Sequence, residues 1–227
     1  MKSTWKFGAA DRREKIAGRL ALAAVCLMTL GPPLFAQASL SAQSQTMSIT
    51  LTGQSMIRTD IRAHSPAAAP VIQSLLKGDV IFTNFETTIF DPRKGQKRAD
   101  GRFVSPPEAM EALQTFGFNL LSLANNHSFD LRTAGVQNVL EQSARLNIAH
   151  AGVGKTIDEA VAPGYLKTPK GTVALIAMAS GLVPDGGNAT GSRAGVNELH
   201  VAGDKPSDKI RAASSRASAK PARKPTW

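Results

Sequence analysis

"FNLLSLANNHSFDLRTAGVQNVLEQSARL" runs from Phe118 to Leu146. Its first part, Phe118 to Ala124, is an apolar run that reads as a buried strand. Its last part, Thr133 to Leu146, reads as a helix. Between them stand two amides, an imidazole and a carboxylate: Asn125, Asn126, His127 and Asp130. A strand that ends in polar residues and feeds a helix is the building unit of an open α/β sheet. Such sheets display their chemistry in the crevice outside the carboxyl ends of the strands. Asn and Asp also close ordinary turns by bonding turn amides, so the stretch alone leaves both a site and a polar turn open.

Outward from it, the alternation repeats. "MSITLTG" (Met47 to Gly53) is a strand, and "AAAPVIQSLLKG" (Ala67 to Gly78) a helix with Gly78 as its stop. "DVIFTNFE" (Asp79 to Glu86) is a second strand, followed by a polar, basic loop from Ile89 to Phe103. Ser105, Pro106 and Glu108 have the spacing of a capping box that opens a helix ending near Gly117. "IAHAGVG" (Ile148 to Gly154) reads as a short strand entering a Gly-rich loop. Asp158 to Ser180 reads as an edge strand, a turn at Pro169–Gly171 and a buried strand. Strand–helix–strand order implies right-handed crossovers and a largely parallel sheet with flanking helices. Parallel neighbours carry their polar ends to one edge. Gln54, Asn84, Glu86, Asn125, Asn126, His127 and Asp130 are then expected around one crevice, with Glu86 facing His127.

Those residue types suit two kinds of chemistry. Glu86, Asn126 and His127 offer oxygen and imidazole donors of the kind that hold a divalent cation such as manganese, zinc or iron. A metal there would polarise a phosphoryl oxygen and activate water. His127 suits protonation of a leaving oxygen, with Asp130 orienting its ring. "AGVGKT" (Ala151 to Thr156) is not a phosphate loop, because the glycine five residues before Gly154 is replaced by Ala149.

The net charge of +10 is confined to the ends. Residues 1–38 hold six Lys/Arg and two Asp/Glu, and residues 205–227 hold seven Lys/Arg and one Asp. Residues 39–204 hold fourteen of each sign, so nucleic acid is not the expected partner of the body. A basic flank, the apolar run Leu20 to Leu30, Pro32–Pro33 and "AQA" (Ala36 to Ala38) read as a signal peptide over residues 1–38. It implies export to the periplasm or beyond, by the general route ahead of the twin-arginine one that Arg12–Arg13 suggests. The sole cysteine, Cys26, lies inside the leader. No other run is long enough to cross a bilayer as a helix. The Ala/Ser/Lys/Arg/Pro-rich segment over 205–227 is expected to be a disordered basic tail.

"TNFETT", "FVSPPEAMEALQTFGFNLLSLANNHSFD" and "GVQNVLEQSARLNIAHAGVG", in that order, resemble the CapA-type poly-gamma-glutamate capsule synthesis proteins. The likeness spans residues 47–200. That family is similar to calcineurin-like metallophosphoesterases, whose fold is a two-sheet sandwich flanked by helices. The resemblance implies Asn126 and Glu86 at a metal and His127 on the leaving group or phosphate. It implies a role in capsule or envelope polymer synthesis, with a phosphoester or anionic polymer as partner. Relatives carry Gly-Asp after the first strand where this chain has Gly53–Gln54. They also continue into a second half with a further His motif, so the chain reads as a partial sandwich, C-terminally truncated. A polymer-binding factor without catalysis, or an inactive fragment, is the alternative.

Overall fold

The computed structural model describes residues 46–202 together with Lys205 and Pro206. The expected signal peptide over 1–38, and the expected basic tail over 205–227 apart from Lys205 and Pro206, lie outside the described residues. The described residues start with strand β1 (Ile49–Gln54), the one-turn helix α1 (Ile61–His64) and helix α2 (Ala68–Leu75). Strands β2 (Val80–Asn84) and β3 (Thr88–Ile89) precede the basic loop, which contains a 3-10 turn at Pro92–Lys94. Strand β4 (Val104–Ser105), helix α3 (Pro107–Phe116), strand β5 (Leu120–Ser122) and helix α4 (Arg132–Arg145) follow. Strands β6 (Ala149–Ala151) and β7 (Val153–Gly154) and helix α5 (Ile157–Ala160) lead to a hairpin of β8 (Gly164–Thr168) and β9 (Gly171–Leu175). Short strands close the described chain: β10 (Ala179–Ser180), β11 (Gly195–Val196), β12 (Glu198–Leu199), β13 (Val201–Ala202) and β14 (Lys205–Pro206).

The central sheet has the order β1-β2-β5-β6, and every pair in it is parallel. The fold is therefore the expected α/β class, compatible with a partial sandwich. Its register aligns the strand ends. Gln54 lies opposite Asn84, Asn84 opposite Ser122, and Ser122 opposite Ala151. A bulge between Leu51 and Gln54 brings the end of β1 into that row.

Helix α3 buries Ala109, Met110, Ala112, Leu113 and Phe116, and α4 buries Val136 and Val139. All of these but Ala109 pack with Ile81, Phe85, Leu121 and Leu123 in one apolar cluster. Each large side chain buried in this way contributes roughly 1.5–3 kcal/mol. Gly117 ends α3 in the left-handed region at φ 103°, with the Phe118 N–H reaching back to the Leu113 carbonyl at 3.1 Å. Asn119 then pins β5 to β2. Its Oδ1 accepts from the Ile81 N–H at 2.8 Å and its Nδ2 donates to the Asp79 carbonyl at 3.0 Å.

Three local readings are corrected. Ser105 caps no helix. It lies in β4, paired parallel with β3, and its Oγ bonds Thr87 and the Ile57 carbonyl. Pro106 caps α3 without a side-chain bond, so the helix starts one residue late. Helix α2 ends at Leu75, and the extended backbone of its cap Leu76 (φ −87°, ψ 97°) turns the chain before Gly78 is reached. Strand β9 is mostly exposed, because its ladder partner is β8 alone among the described residues.

Asp79 ties the start of β1 to the start of β2. Its Oδ2 accepts from the Ser48 N–H at 2.7 Å, the Ser48 hydroxyl at 2.8 Å and the Lys170 ammonium at 3.0 Å. The Ser48 bonds first, and then Lys170, pull its carboxyl from 3.8 to about 2. A carboxylate with a depressed pKa stabilises the fold above its unfolded value and loses that contribution as pH falls. The acid limb of thermal stability between pH 4 and pH 2 is therefore expected to flatten in Asp79→Asn. An unchanged limb would assign the acid sensitivity to other carboxylates.

Candidate functional site

The site grows from the ends of β2 and β5. Beyond Asn84, the chain turns inward and buries Phe85 and Glu86. Beyond Ser122, it buries Leu123 to Asn125 and then winds through a tight turn. Asn125 makes that turn. Its Oδ1 accepts from the His127 N–H at 3.0 Å, and Ser128 Oγ accepts from its backbone N–H at 2.9 Å. The Asx geometry fixes which of the two successive amides points inward.

A continuous hydrogen-bonded chain results. Asn84 Nδ2 donates to Glu86 Oε2 at 3.1 Å, and Asn125 Nδ2 donates to Asn84 Oδ1 at 3.2 Å. Asn125 Nδ2 also donates to the Phe85 carbonyl at 2.9 Å. From Asn125 the chain continues through the His127 backbone to its ring, whose Nδ1 lies 3.0 Å from Asp130 Oδ2. That carboxylate oxygen also accepts from the Phe103 N–H at 2.8 Å. An ionised carboxylate only accepts, so Nδ1 carries the hydrogen and Nε2 is left to exchange protons. Glu86, His127 and Asp130 are thus joined through Asn84 and Asn125.

Phe103 packs its ring against the imidazole, with centroids 5.2 Å apart. The basic loop delivers it there because α4 anchors that loop. Asn138 Nδ2 donates to the Ile89 carbonyl at 2.9 Å and to Gln96 Oε1 at 2.7 Å, and Lys94 Nζ donates to Asn138 Oδ1 at 2.9 Å. The Arg58 guanidinium lies over the same ring, 4.3 Å from its centroid.

Glu86 is 6% exposed, and among the described residues no Lys, Arg or His nitrogen pairs with it. A buried carboxylate held only by an amide is short of positive charge. Asn126 is half-buried, and its amide bonds nothing among the described residues. The donor types that Glu86 and Asn126 offer, a carboxylate and an amide oxygen, are those a hard divalent ion takes. No group of three His, Cys, Asp or Glu side chains gathers there among the described residues. Gln54 joins the row of strand ends by register but stays exposed, with no side-chain bond among the described residues.

Comparison with known proteins bears on this arrangement. Residues 42–224 match the family model for the bacterial capsule synthesis protein PGA_cap. The chain belongs to that family. PGA_cap membership agrees with the likeness carried by "TNFETT" and "LANNHSFD", and places the chain among proteins related to capsule synthesis. Two relatives, both named as uncharacterized, come from Sinorhizobium fredii (strain NBRC 101917 / NGR234). The protein y4sH is 36% identical over 154 residues, covering 63% of this chain and 33% of its own. The protein y4uA is 36% identical over 148 residues, covering 61% and 32%. The match thus spans about a third of the length of these curated relatives. Among the described residues, no helix is long and apolar enough to cross a membrane.

Asn84 and Asn125 are the members that sequence reasoning placed at the crevice without giving them a task. Phe103 and Arg58 were missed altogether. No spacing rule connects them to His127, and only the path of the anchored loop does.

Proposed function

We propose that the protein is an exported envelope protein of capsule synthesis that hydrolyses a phosphoester of an anionic polymer or its precursor at the β2–β5 strand ends. The chain of bonds from Glu86 through Asn84 and Asn125 to His127 and Asp130 carries this reading. It couples a cation-seeking carboxylate to an oriented imidazole on one rigid edge. Glu86 and Asn126 would hold a divalent cation, manganese, zinc or iron. When bound, that ion supplies Lewis-acid polarisation of a phosphoryl oxygen and a more acidic water. His127 gives a proton from Nε2 to the leaving oxygen. Asp130 stabilises the imidazolium and holds the ring. The half-buried Asn84 amide, itself held by the buried Asn125, keeps the Glu86 carboxylate from turning away.

Calorimetric titration with manganese, zinc and ferrous ion tests the cation part. A single-carboxylate set should bind in the micromolar range or weaker, and Glu86→Gln should lower the affinity at least about tenfold, since a neutral amide is a poor partner for a dication. Hydrolysis of a chromogenic phosphodiester with and without the ion tests the reaction. Cation binding that is equal in Glu86→Gln, together with turnover indifferent to metal, would sink the reading. An exposed guanidinium beside His127 also favours retention of an anionic polymer without turnover, the outcome if polymer binds but no phosphoester is cleaved.

A further inference from the structure

We propose that Arg58 is an anion clamp. It grips a phosphate or carboxylate group of the substrate beside the group on which His127 acts, and it stands on the Phe103 ring to do so. The proposal deepens the reading above and rests on it for His127 as the reacting side, but the clamp is measurable without turnover.

Arg58 is exposed, yet it is held in place. Its segment is fastened on both sides. The Ser55 N–H donates to the Asn84 carbonyl at 2.7 Å, and the Ile57 carbonyl accepts from the buried Ser105 hydroxyl. Two residues on, Asp60 caps α1 by accepting from the Arg62 N–H. The guanidinium then rests on Phe103, 4.3 Å from the ring centroid. A flat cation stacked on an aromatic face keeps its edge donors free for a ligand.

Those donors are unspent. Among the described residues, Arg58 makes no side-chain hydrogen bond and no ion pair. The obvious competitor, Asp60, is already committed. Both its carboxylate oxygens accept from the Arg62 guanidinium, at 2.9 Å each. Arg102, next to Phe103 in the chain, likewise makes no side-chain hydrogen bond or ion pair among the described residues, but no aromatic ring carries its guanidinium. Other arginines are committed to carboxylates. Arg62 also reaches Glu111, and Arg93 holds Asp91. Among the described residues, Arg58 is the arginine that both rests on an aromatic ring and makes no side-chain bond.

The ring that carries Arg58 also abuts His127, with 5.2 Å between ring centroids, and its own N–H holds Asp130. The guanidinium and the imidazole therefore lie no further apart than the two stacking distances laid end to end. An anionic substrate that carries a second charged group within that span would meet both. The five N–H groups of a guanidinium match two oxygens of a carboxylate or phosphate side by side. Such a contact identifies an oxyanion and does not say whether it is a phosphate or a polymer carboxylate, so both are tested.

The test is equilibrium binding to the full chain at low ionic strength, with inorganic phosphate and with a short poly-gamma-glutamate oligomer as separate probes. Arg58→Gln is expected to weaken binding of at least one probe about tenfold or more, the loss expected for charge-assisted bonds. The probe affected identifies the anion. Arg58→Lys should recover only part of the affinity, because an ammonium lacks the fork and the stack. Phe103→Leu should also weaken binding, because it removes the shelf while leaving the charge. Equal affinity of Arg58→Gln and wild type for both probes would overturn the proposal, as would a wild type that binds neither. Absence of hydrolysis in the wild type would defeat the catalytic reading and leave this measurement standing.

Discussion

His127→Ala is expected to reduce phosphoester turnover by about 10²–10⁴-fold, the range for loss of a positioned general acid. The side chain is 27% exposed, so its removal opens no deep cavity, and stability should change by less than about 1 kcal/mol. The loss should fall on kcat more than on KM, because a proton given to the leaving oxygen matters in the transition state and little in the ground state. Asp130→Asn should cost less. The amide oxygen can still accept, from the ring or from the Phe103 N–H, but it carries no charge to stabilise the imidazolium. A His127→Ala protein that turns over within tenfold of wild type would remove the imidazole from the chemistry.

The parallel sheet was legible because its signals are local. "VIFTN" and "NLLS" are short apolar runs, each ending in polar residues, and helices separate them. The alignment of Gln54, Asn84 and Ser122 follows once the strands run together. What failed was decided by tertiary partners. Ser105 has the spacing of a helix cap, but Thr87 and the Ile57 carbonyl compete for its hydroxyl and win it for β4. Two-residue strands such as β3 and β4 have no period to read. At the site, Glu86, His127 and Asp130 announce themselves by residue type. The division of labour between Asn125 and Asn126 does not. It depends on which amide folds back on the His127 N–H, a matter of backbone direction. Phe103 and Arg58 carry no motif, because the anchored loop and the pinned segment after β1 bring them in from far along the chain.

Asn125→Asp should be the most damaging conservative change in the described chain, destabilising it by about 2–5 kcal/mol, the cost of buried polar groups left facing one another. The residue is 7% exposed. Its Nδ2 donates in two directions, to the Phe85 carbonyl and to Asn84 Oδ1. An aspartate of the same shape puts an oxygen against both of those acceptors and adds a second buried negative charge near Glu86. Asn125→Ala loses the same bonds without the charge, so it should be the milder of the two, at about 1–3 kcal/mol. Burial and a neighbouring carboxylate raise the pKa of an introduced acid. A raised folded-state pKa means that protonation favours the native state, so acid should narrow the gap between Asn125→Asp and wild type, while the gap to Asn125→Ala stays level with pH. Urea midpoints at pH 5 and pH 8 read this directly. If alanine is the worse substitution at both pH values, the amide is not donating in two directions, and Asn84 must hold Glu86 without help from β5.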